Sequence, residues 1–222
     1  GSTSSPAQFI PIAEETGIIV PIGAWALIEA LTHLRGWIDA GICTETASMS
    51  VNVSPRQLHD PHFVSVVSEA LSRARMQPQQ LWLEMTESIM ITEPEQALAA
   101  LRRLNTLGVR IAIDDFGTGY SSLSLLQSFP IQRLKIDRSF ISGIADDVSA
   151  RSIVKTILAM SDALGLDTVA EGVETERQLQ ALIELHCAKA QGYLISHPVA
   201  PEQMRNTVIS LDKFSQWPKY SD

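Results

Sequence analysis

Oxygen-bearing side chains recur where apolar, β-branched segments of this sequence end. Two adjacent carboxylates, Asp114 and Asp115, follow the apolar run at 109–113 and precede a loop with two glycines. A polar group buried in a strand is costly unless it is paired or ligated. Taken alone, Asp114 and Asp115 could equally form a solvated turn with an Asp helix cap. The recurrence of polar residues in the other predicted strands indicates a site instead; these residues are Asn52, Glu84, Lys135, Glu171 and Gln191.

The donor atoms in this set favour hard divalent cations. All-oxygen ligation selects Mg²⁺, Mn²⁺ or Ca²⁺ over zinc or copper, and neither His nor Cys belongs to the set. Its carboxylates exceed what one Mg²⁺ usually takes from protein, which predicts two ions sharing a bridging Asp. Such a pair lowers the pKa of a bridging water and stabilises both oxygens of a phosphoryl transfer. Lys135 would add a positive charge beside the reacting phosphate. The predicted ligands are Asn52, Glu84, Asp114, Asp115 and Glu171.

Strands alternate with helices along the chain, which predicts βαβ units and a parallel sheet. In a parallel barrel the polar strand ends would share one rim. Trp25, Trp37 and Trp82 are expected to be buried. The predicted strands are Met49–Ser54, Leu81–Thr86, Val109–Asp114, Arg133–Asp137, Thr168–Glu171 and Ala190–Leu194. The main predicted helices are 6–15, which Ser5-Pro6 opens, and 21–37, 61–75, 94–107, 121–128, 150–164, 175–185 and 201–210.

Composition limits the class of protein. The 222 residues are 45% hydrophobic with a net charge of −8 and no basic block, which argues against a DNA, RNA or membrane-surface binder. Cys43 and Cys187 lie far apart, which is typical of reduced thiols. We find neither a signal peptide nor an apolar run of transmembrane length, so a cytoplasmic domain is expected. Residues 1–2 are interpreted as a cloning remnant, 3–212 as the domain and 213–222 as a peripheral tail.

Six motifs in order resemble the EAL-domain family across nearly the whole chain. They are Val51-Asn52-Val53-Ser54, Leu83-Glu84-Met85-Thr86-Glu87, the run from Asp114 to Leu123, Leu134-Lys135-Ile136-Asp137, Ala170-Glu171-Gly172-Val173-Glu174-Thr175 and Gln191-Gly192-Tyr193-Leu194. The resemblance implies a TIM-like (β/α)8 barrel of the α/β class that hydrolyses cyclic di-GMP to linear pGpG. It also implies two Mg²⁺ or Mn²⁺ ions, with Ca²⁺ inhibitory.

The resemblance also implies a role for each matched residue. Asn52, Glu84, Asp114 and Glu171 resemble metal ligands, with Asp115 at the second ion. Lys135 resembles the residue that holds the catalytic water, which makes Lys135, Glu171 and Asp115 the expected catalytic group. Gln191 and Asp137 resemble substrate contacts. Glu87 resembles the anchor of the 115–123 loop, and Glu174 a support; Asp137 or Glu174 could instead cap a helix. Ser54 and Thr86 are expected to be structural.

The sequence departs from the family pattern in several places. The signature Glu-Ala-Leu and a nearby Arg belong to a strand expected before Phe9, so the first two barrel strands are expected to be absent and turnover impaired. Such a barrel would expose unpaired edges. His186 replaces a usual Gly after a helix, a place where His tolerates left-handed geometry better than most residues. Ala188 replaces a frequent Asp, and neither change is expected to matter.

Two other functions stay open at this point. One is an EAL-like receptor that binds cyclic di-GMP without cleaving it, although such receptors typically lose several ligands that this chain keeps. The other is a general metal-dependent barrel hydrolase or lyase, in which Glu171 and Lys135 would abstract a proton. Expected partners are a second copy in a homodimer and an upstream sensory or GGDEF domain.

Overall fold

The structure is a computed structural model that describes residues 5–119 and 123–211, without the side chains of residues 91 and 92. The chain divides into two compact units, residues 1–111 and 112–222. Tyr120, Ser121 and Ser122 of the third motif, the start of the helix predicted at 121–128, and the predicted 212/213 boundary lie outside the described residues.

The first unit contains six α-helices and two strands in its described part, besides a 3₁₀ helix at Pro78–Gln80. They are α1 Pro6–Thr16, α2 Ile19–Asp39, β1 Met49–Asn52, α3 Pro55–Leu58, α4 Phe63–Ala74, β2 Leu81–Thr86, α5 Ile89–Thr92 and α6 Pro94–Leu107. Strands β1 and β2 pair in parallel. Ser54 caps α3 in a capping box with Gln57, which confirms its structural role.

The buried stripe of α2 explains why one tryptophan prediction is wrong. Leu27, Leu31 and Leu34 are buried on one face of this helix. Trp25 precedes Leu27 by two residues, about 200° around a helix, and is therefore turned away from that face and 63% exposed. Trp82 in β2 is buried as predicted, with 2% exposure, and Trp37 is half-buried.

The second unit carries four strands and five α-helices in its described part, besides a 3₁₀ helix at Pro201–Gln203. They are β3 Arg110–Phe116, whose first two residues are counted in the first unit, α7 Leu123–Ser128, β4 Arg133–Ile136, α8 Arg138–Ser142, α9 Val148–Ala163, β5 Asp167–Ala170, α10 Glu176–Glu184, β6 Lys189–Ala190 and α11 Met204–Ser210. Each strand pairs in parallel with the next one along the chain, from β3 to β6. The predicted alternation and parallel pairing are thus confirmed within each unit.

The predicted bounds are exact for β2 and differ by one to four residues for the other five strands, and the differences at β6 and β3 affect the site. The last strand is predicted at Ala190–Leu194, but β6 ends at Ala190 because the chain then bonds to the loop after β5. Val173 donates its N–H to Gln191 O, and Leu194 donates to Val173 O. The third strand is predicted to end at Asp114, whereas β3 continues through Asp115 to Phe116.

The helix after β5 ends as its sequence suggested. His186 follows α10 with φ +60°, the left-handed conformation expected at this position. The short helices α3, α5 and α8 are not predicted, since four or five residues give too little periodicity to detect. Among the described residues, we find no helix with the length and hydropathy needed to cross a membrane.

Candidate metal centre

A bulge in β3 brings Asp114 and Asp115 to the same site. Regular strand alternation would place adjacent side chains on opposite faces. Here Ile113 pairs with Leu134 and Phe116 with Ile136, so β3 has one more residue than β4 over this stretch. Asp115 accommodates the extra residue with φ +53°. This conformation is uncommon for residues other than glycine, although Asp adopts it more readily than most. The bulge therefore explains how two adjacent carboxylates can act together.

Asp114, Asp115 and Glu171 form a compact group of carboxylates. Each offers an oxygen, and these oxygens all lie within 4.8 Å of one another. Glu171 follows β5 directly, and its backbone N–H donates to Ile136 O at 3.0 Å. The parallel pairing of β4 and β5 thus fixes the position at which the Glu171 side chain leaves the sheet.

Lys135 lies between these carboxylates and is almost fully buried. It stands in β4 between the buried Leu134 and Ile136 and is 4% exposed. Its Nζ is 2.6 Å from Glu171 Oε1 and 3.0 Å from Asp114 Oδ1. A buried ammonium is stable only with such partners. Lys135 therefore offsets part of the negative charge of the group.

The pKa values of two neighbouring Asp residues move in opposite directions. Burial raises the pKa of Asp115 above its ordinary value, and the nearby charges of Asp114 and Asp137 raise it further, while Lys135 opposes them. For Asp137, burial alone would also raise the pKa. Hydrogen bonds from Ser139, the backbone of Arg138 and Asp115 outweigh burial and hold the pKa of Asp137 below its usual range. The negative charge at Asp115 is thus incompletely compensated, as is typical of a site that takes a cation.

A cavity of about 290 Å³, called here the side cavity, lies beside the carboxylate group. Its lining combines predicted and unpredicted residues: Asp115, Asp137, Arg138, Glu171, Gly172, Glu174, Gln191, Gly192 and Tyr193. The structure therefore brings the predicted residues Asp137, Glu174 and Gln191 to the catalytic candidates. Asp137 also caps α8 by accepting from Ser139 N at 3.0 Å, so the helix-cap reading holds as well.

Sequence reasoning missed Arg138 and Tyr193 as residues of this site. Arg138 is the residue after Asp137, and Tyr193 stands two residues after Gln191. Their closeness in the chain to predicted site residues is the one feature of the sequence that could have indicated them. Their place at the cavity depends on loop geometry, which no local pattern encodes. A larger groove of about 1000 Å³ between α4 and α6 holds one carboxylate, Glu69, which pairs with Arg73. That groove lacks the clustered donors of a metal site.

The remaining predicted ligands lie in the first unit. Asn52 and Glu84 are register partners at the carboxyl ends of β1 and β2, and Val53 N donates to Glu84 O at 2.8 Å. Asn52 is exposed, whereas Glu84 is 7% exposed between Leu83 and Met85. Parallel pairing thus places these two oxygen donors side by side.

Glu87 and Thr86 follow at the end of β2. Glu87 is 5% exposed, and its backbone carbonyl accepts from Met90 N at 3.1 Å. Its predicted role as a loop anchor involves residues outside the described part of the chain and stays a prediction. The hydroxyl of Thr86 bonds with that of Ser88 at 2.9 Å, which agrees with a structural role.

The carboxylate group fits a divalent cation of the Mg²⁺ or Mn²⁺ type. Asp114, Asp115 and Glu171 supply clustered hard oxygens, and Asp114 and Glu171 are half-buried. Neither His nor Cys joins this group, which disfavours zinc and copper. The acidic group could thus bind a metal.

Comparison with known proteins decides the family. The sequence model of the EAL domain matches residues 1–198. The chain belongs to the EAL domain family.

This EAL domain is similar to several curated bacterial proteins. It is 44% identical over 204 residues to the bifunctional diguanylate cyclase/cyclic di-GMP phosphodiesterase MucR of Pseudomonas aeruginosa, a match covering 92% of this chain and 30% of MucR. It is 41% identical over 209 residues to the signaling protein YkoW of Bacillus subtilis, covering 94% of this chain and 26% of YkoW. The chain thus spans between a quarter and a third of the length of these relatives.

Solved structures confirm the predicted fold class. The phosphodiesterase PaMucR in complex with c-di-GMP matches with a TM-score of 0.85 and 44% identity, over 90% of this chain and 80% of that one. The EAL enzyme Bd1971 with cAMP and cyclic-di-GMP bound matches with a TM-score of 0.86 and 34% identity, over 92% of this chain and 56% of that one. The fold is the TIM-like α/β fold of EAL domains.

Proposed function

We propose that this EAL domain is a metal-dependent phosphodiesterase that hydrolyses cyclic di-GMP to linear pGpG. The observation that carries the proposal is the group of Asp114, Asp115 and Glu171, with oxygens within 4.8 Å of one another around the buried Lys135. The substrate class follows from the similarity to MucR, a cyclic di-GMP phosphodiesterase, and to PaMucR in its complex with c-di-GMP.

Mg²⁺ or Mn²⁺ is the proposed cofactor, as two ions. Asp114, Asp115 and Glu171 would hold metal, with Asp115 assigned to the second ion. Asn52 and Glu84 remain proposed ligands. When bound, the ions supply a nucleophilic water at neutral pH and stabilise charge on the attacking and leaving oxygens.

The other residues act on the substrate and its water. Asp114 and Glu171 fix the ammonium of Lys135, which donates a hydrogen bond to the attacking water and offsets the charge that develops on the phosphate. Gln191 and Asp137 line the side cavity and are assigned to substrate contact. Glu87 and Glu174 are assigned to loop support.

The direct test is chromatography of pGpG formed from cyclic di-GMP in Mg²⁺ or Mn²⁺. Wild type should form pGpG, whereas Asp114→Asn and Glu171→Gln should lose activity by roughly 100-fold or more, because even residues that only orient a metal ligand contribute 10- to 100-fold. Asp146→Asn is the matched control and should retain activity, because this exposed carboxylate pairs with Arg177 and neither residue lines the side cavity. Binding of cyclic di-GMP without pGpG formation by wild type in either metal would contradict the proposal and identify a receptor.

The setting of the domain is also a proposal. We expect a homodimer in the cytoplasm. We also expect a sensory or GGDEF domain beside it, because the similar protein MucR combines cyclase and phosphodiesterase activities. Light scattering during size-exclusion chromatography tests the dimer; a monomeric mass across the concentration range would contradict it.

A further inference from the structure

We infer that the groove between α4 and α6, called here the α4–α6 groove, binds an acidic amphipathic helix of a partner protein. The groove has a volume of about 1000 Å³, at the upper end of the roughly 300–1,000 Å³ of small-molecule sites. None of the residues that line it is a proposed metal ligand or substrate contact. The inference therefore goes beyond the proposed function and adds an interaction surface to the first unit.

The α4 wall of the groove is a stripe of mostly short side chains on one face of the helix. Its residues stand at i, i+1, i+4, i+5, i+8 and i+9 from Val64, which is the spacing of a single helical face. Three of them are exposed serines, Ser65, Ser68 and Ser72, whose small side chains leave the space between the helices open. From Val64 to Arg73 the stripe is about 14 Å long, which matches two to three turns of a bound helix.

The floor of the groove is apolar. Val64 on α4 and Leu107 on α6 line it and are half-buried, whereas the core residues Val67 and Leu104 of the same two helices are fully buried. The exposed parts of Val64 and Leu107 are thus apolar surface that the core does not cover. An apolar face of a partner would remove this surface from water, which favours binding.

The sides of the groove are positively charged, although the surrounding chain is acidic. Residues 1–111 contain seven Lys and Arg residues against eleven Asp and Glu residues. Three of these seven cations, Arg73, Arg102 and Arg103, line the groove, together with one carboxylate, Glu69. A local excess of positive charge is complementary to a negatively charged partner.

The charges of Arg102 and Arg103 are available to such a partner. Both residues are exposed on α6, and neither guanidinium forms an ion pair or a hydrogen bond with any described residue. By contrast, Arg73 on the α4 wall pairs with Glu69 at 2.5 Å. The α6 wall therefore carries the two uncompensated positive charges, and carboxylates along one side of a bound helix would pair with them.

A protein helix suits this groove better than a nucleic acid or a membrane surface. Those two partners are anionic over large areas, and the net charge of −8 of the chain repels them at long range. A short helix brings only a few carboxylates, and its apolar face can cover the floor while its acidic side meets the arginines. This is the helix-in-groove mode of peptide recognition.

The test uses synthetic amphipathic helices of defined charge. The probe is a stapled, fluorescein-labelled peptide of about 14 residues, about 21 Å long, with Leu along one face and Glu on both sides of that face. A second peptide has Lys in place of Glu, and a third has Ser in place of Leu. Fluorescence anisotropy with the full chain should show saturable binding of the acidic peptide, none of the basic peptide and weaker binding of the peptide without Leu.

Variants of the groove separate the effect of charge from that of shape. Arg102→Ala and Arg103→Ala should each weaken binding of the acidic peptide by about 1.4- to 5-fold, the range for exposed ion pairs. Arg102→Glu combined with Arg103→Glu should reverse the preference, so that the basic peptide binds instead. Ser68→Trp should prevent binding of every peptide, because it fills the groove without changing its charge.

Arg177→Ala is the matched control, because Arg177 is an exposed arginine that does not line the groove, and this variant should bind like wild type. Thermal melts of all variants should match wild type, since the substituted side chains are exposed. Raising the ionic strength from about 0.01 M to about 0.15 M shortens the Debye length from about 30 Å to about 8 Å and should weaken the acidic complex.

Four results would overturn the inference. Equal binding of the acidic and basic peptides would show that charge does not select the occupant, and acidic-peptide binding that survives the double Glu variant would place the peptide elsewhere. Self-association in light scattering that Ser68→Trp abolishes would identify a second copy of the chain as the occupant. A DNA duplex that binds more tightly than the acidic peptide, and no longer binds the double Glu variant, would identify a nucleic acid. Formation of pGpG by wild type tests the proposed function separately from all four.

Discussion

Replacing Lys135 with the uncharged, similar-sized Met should destabilise the metal-free domain and make its stability depend on divalent cations. Lys135 Nζ is 2.6 Å from Glu171 Oε1 and 3.0 Å from Asp114 Oδ1, and it is 4% exposed. At an effective dielectric constant of about 20, each of these contacts has a Coulomb energy of about 6 kcal/mol before desolvation is subtracted.

The net cost is smaller, because removing Lys135 also removes its own desolvation penalty. Breaking a buried ion pair typically costs about 3–5 kcal/mol. For a chain of this size, about 2–4 °C of melting temperature corresponds to 1 kcal/mol, so we expect a decrease of roughly 6–20 °C. Mg²⁺ should restore part of this loss, because a cation bound by Asp114, Asp115 and Glu171 replaces the missing positive charge.

Calorimetry or a circular dichroism melt in EDTA, and then in Mg²⁺, measures both effects. Lys155→Met, on the exposed face of α9, is the control and should melt like wild type. The reasoning is refuted if Lys135→Met melts within about 1 °C of wild type in EDTA, since that shift corresponds to well under 1 kcal/mol.

Three further predictions concern the framework of the site. Gly192→Ala should lower the free energy of unfolding in urea by about 1–3 kcal/mol, because its Cβ would lie within 2.7 Å of the Val173 backbone. Gly36→Ala is the control: this glycine faces open space on α2, so the variant should be more stable by about 0.5–1 kcal/mol. Equal effects of the two substitutions would contradict the prediction. Burial alone would raise the pKa of Asp167, but its bonds to Lys189 and Arg133 outweigh burial and hold the pKa below the ordinary value. The ionised carboxylate therefore stabilises the folded domain above about pH 4, and this stabilisation is lost as the pH falls through the folded-state pKa. Because Asp167 is partly exposed, Asp167→Asn should cost only about 1 kcal/mol at pH 7 and nothing at the lowest pH; a pH-independent cost would refute it. Burial raises the pKa of the Cys187 thiol and keeps reagents away from it. A thiol reagent should therefore modify the half-buried Cys43 in the native protein, and Cys187 only after unfolding. Rapid labelling of Cys187 in the native protein would contradict its burial.

The parts of the fold that the sequence predicts are those with local periodicity. Apolar runs mark β1 to β5 within a few residues, and the polar residues Glu84, Lys135 and Glu171 stand out because each is flanked by apolar neighbours. Parallel pairing then brings Lys135 and Glu171 together without further information. In these strands, the succession of apolar and polar residues that marks them in the sequence also decides which side chains lie in the core and which reach the site.

The remaining features depend on contacts between distant segments. The bulge at Asp115 adds one residue to β3 relative to β4, and a strand pattern cannot show such an addition. The short β6 results from bonds of Gln191 and Leu194 to the loop at Val173, more than 15 residues earlier in the chain. Arg138 lies at the site with its stem against Gly172, where a Cβ would be 2.4 Å from Arg138 Cβ.

Binding of Mn²⁺ is the measurement that tests the central claim most directly, because free Mn²⁺ can be counted by electron paramagnetic resonance. Wild type should bind Mn²⁺ saturably. Asp114→Asn and Glu171→Gln should weaken binding by roughly tenfold or more, since even residues that only orient a metal ligand typically contribute 10- to 100-fold. Asp146→Asn should bind like wild type. Saturable binding that is unchanged in Asp114→Asn and Glu171→Gln, or no saturable binding in wild type, would contradict the assignment of this carboxylate group as a metal centre.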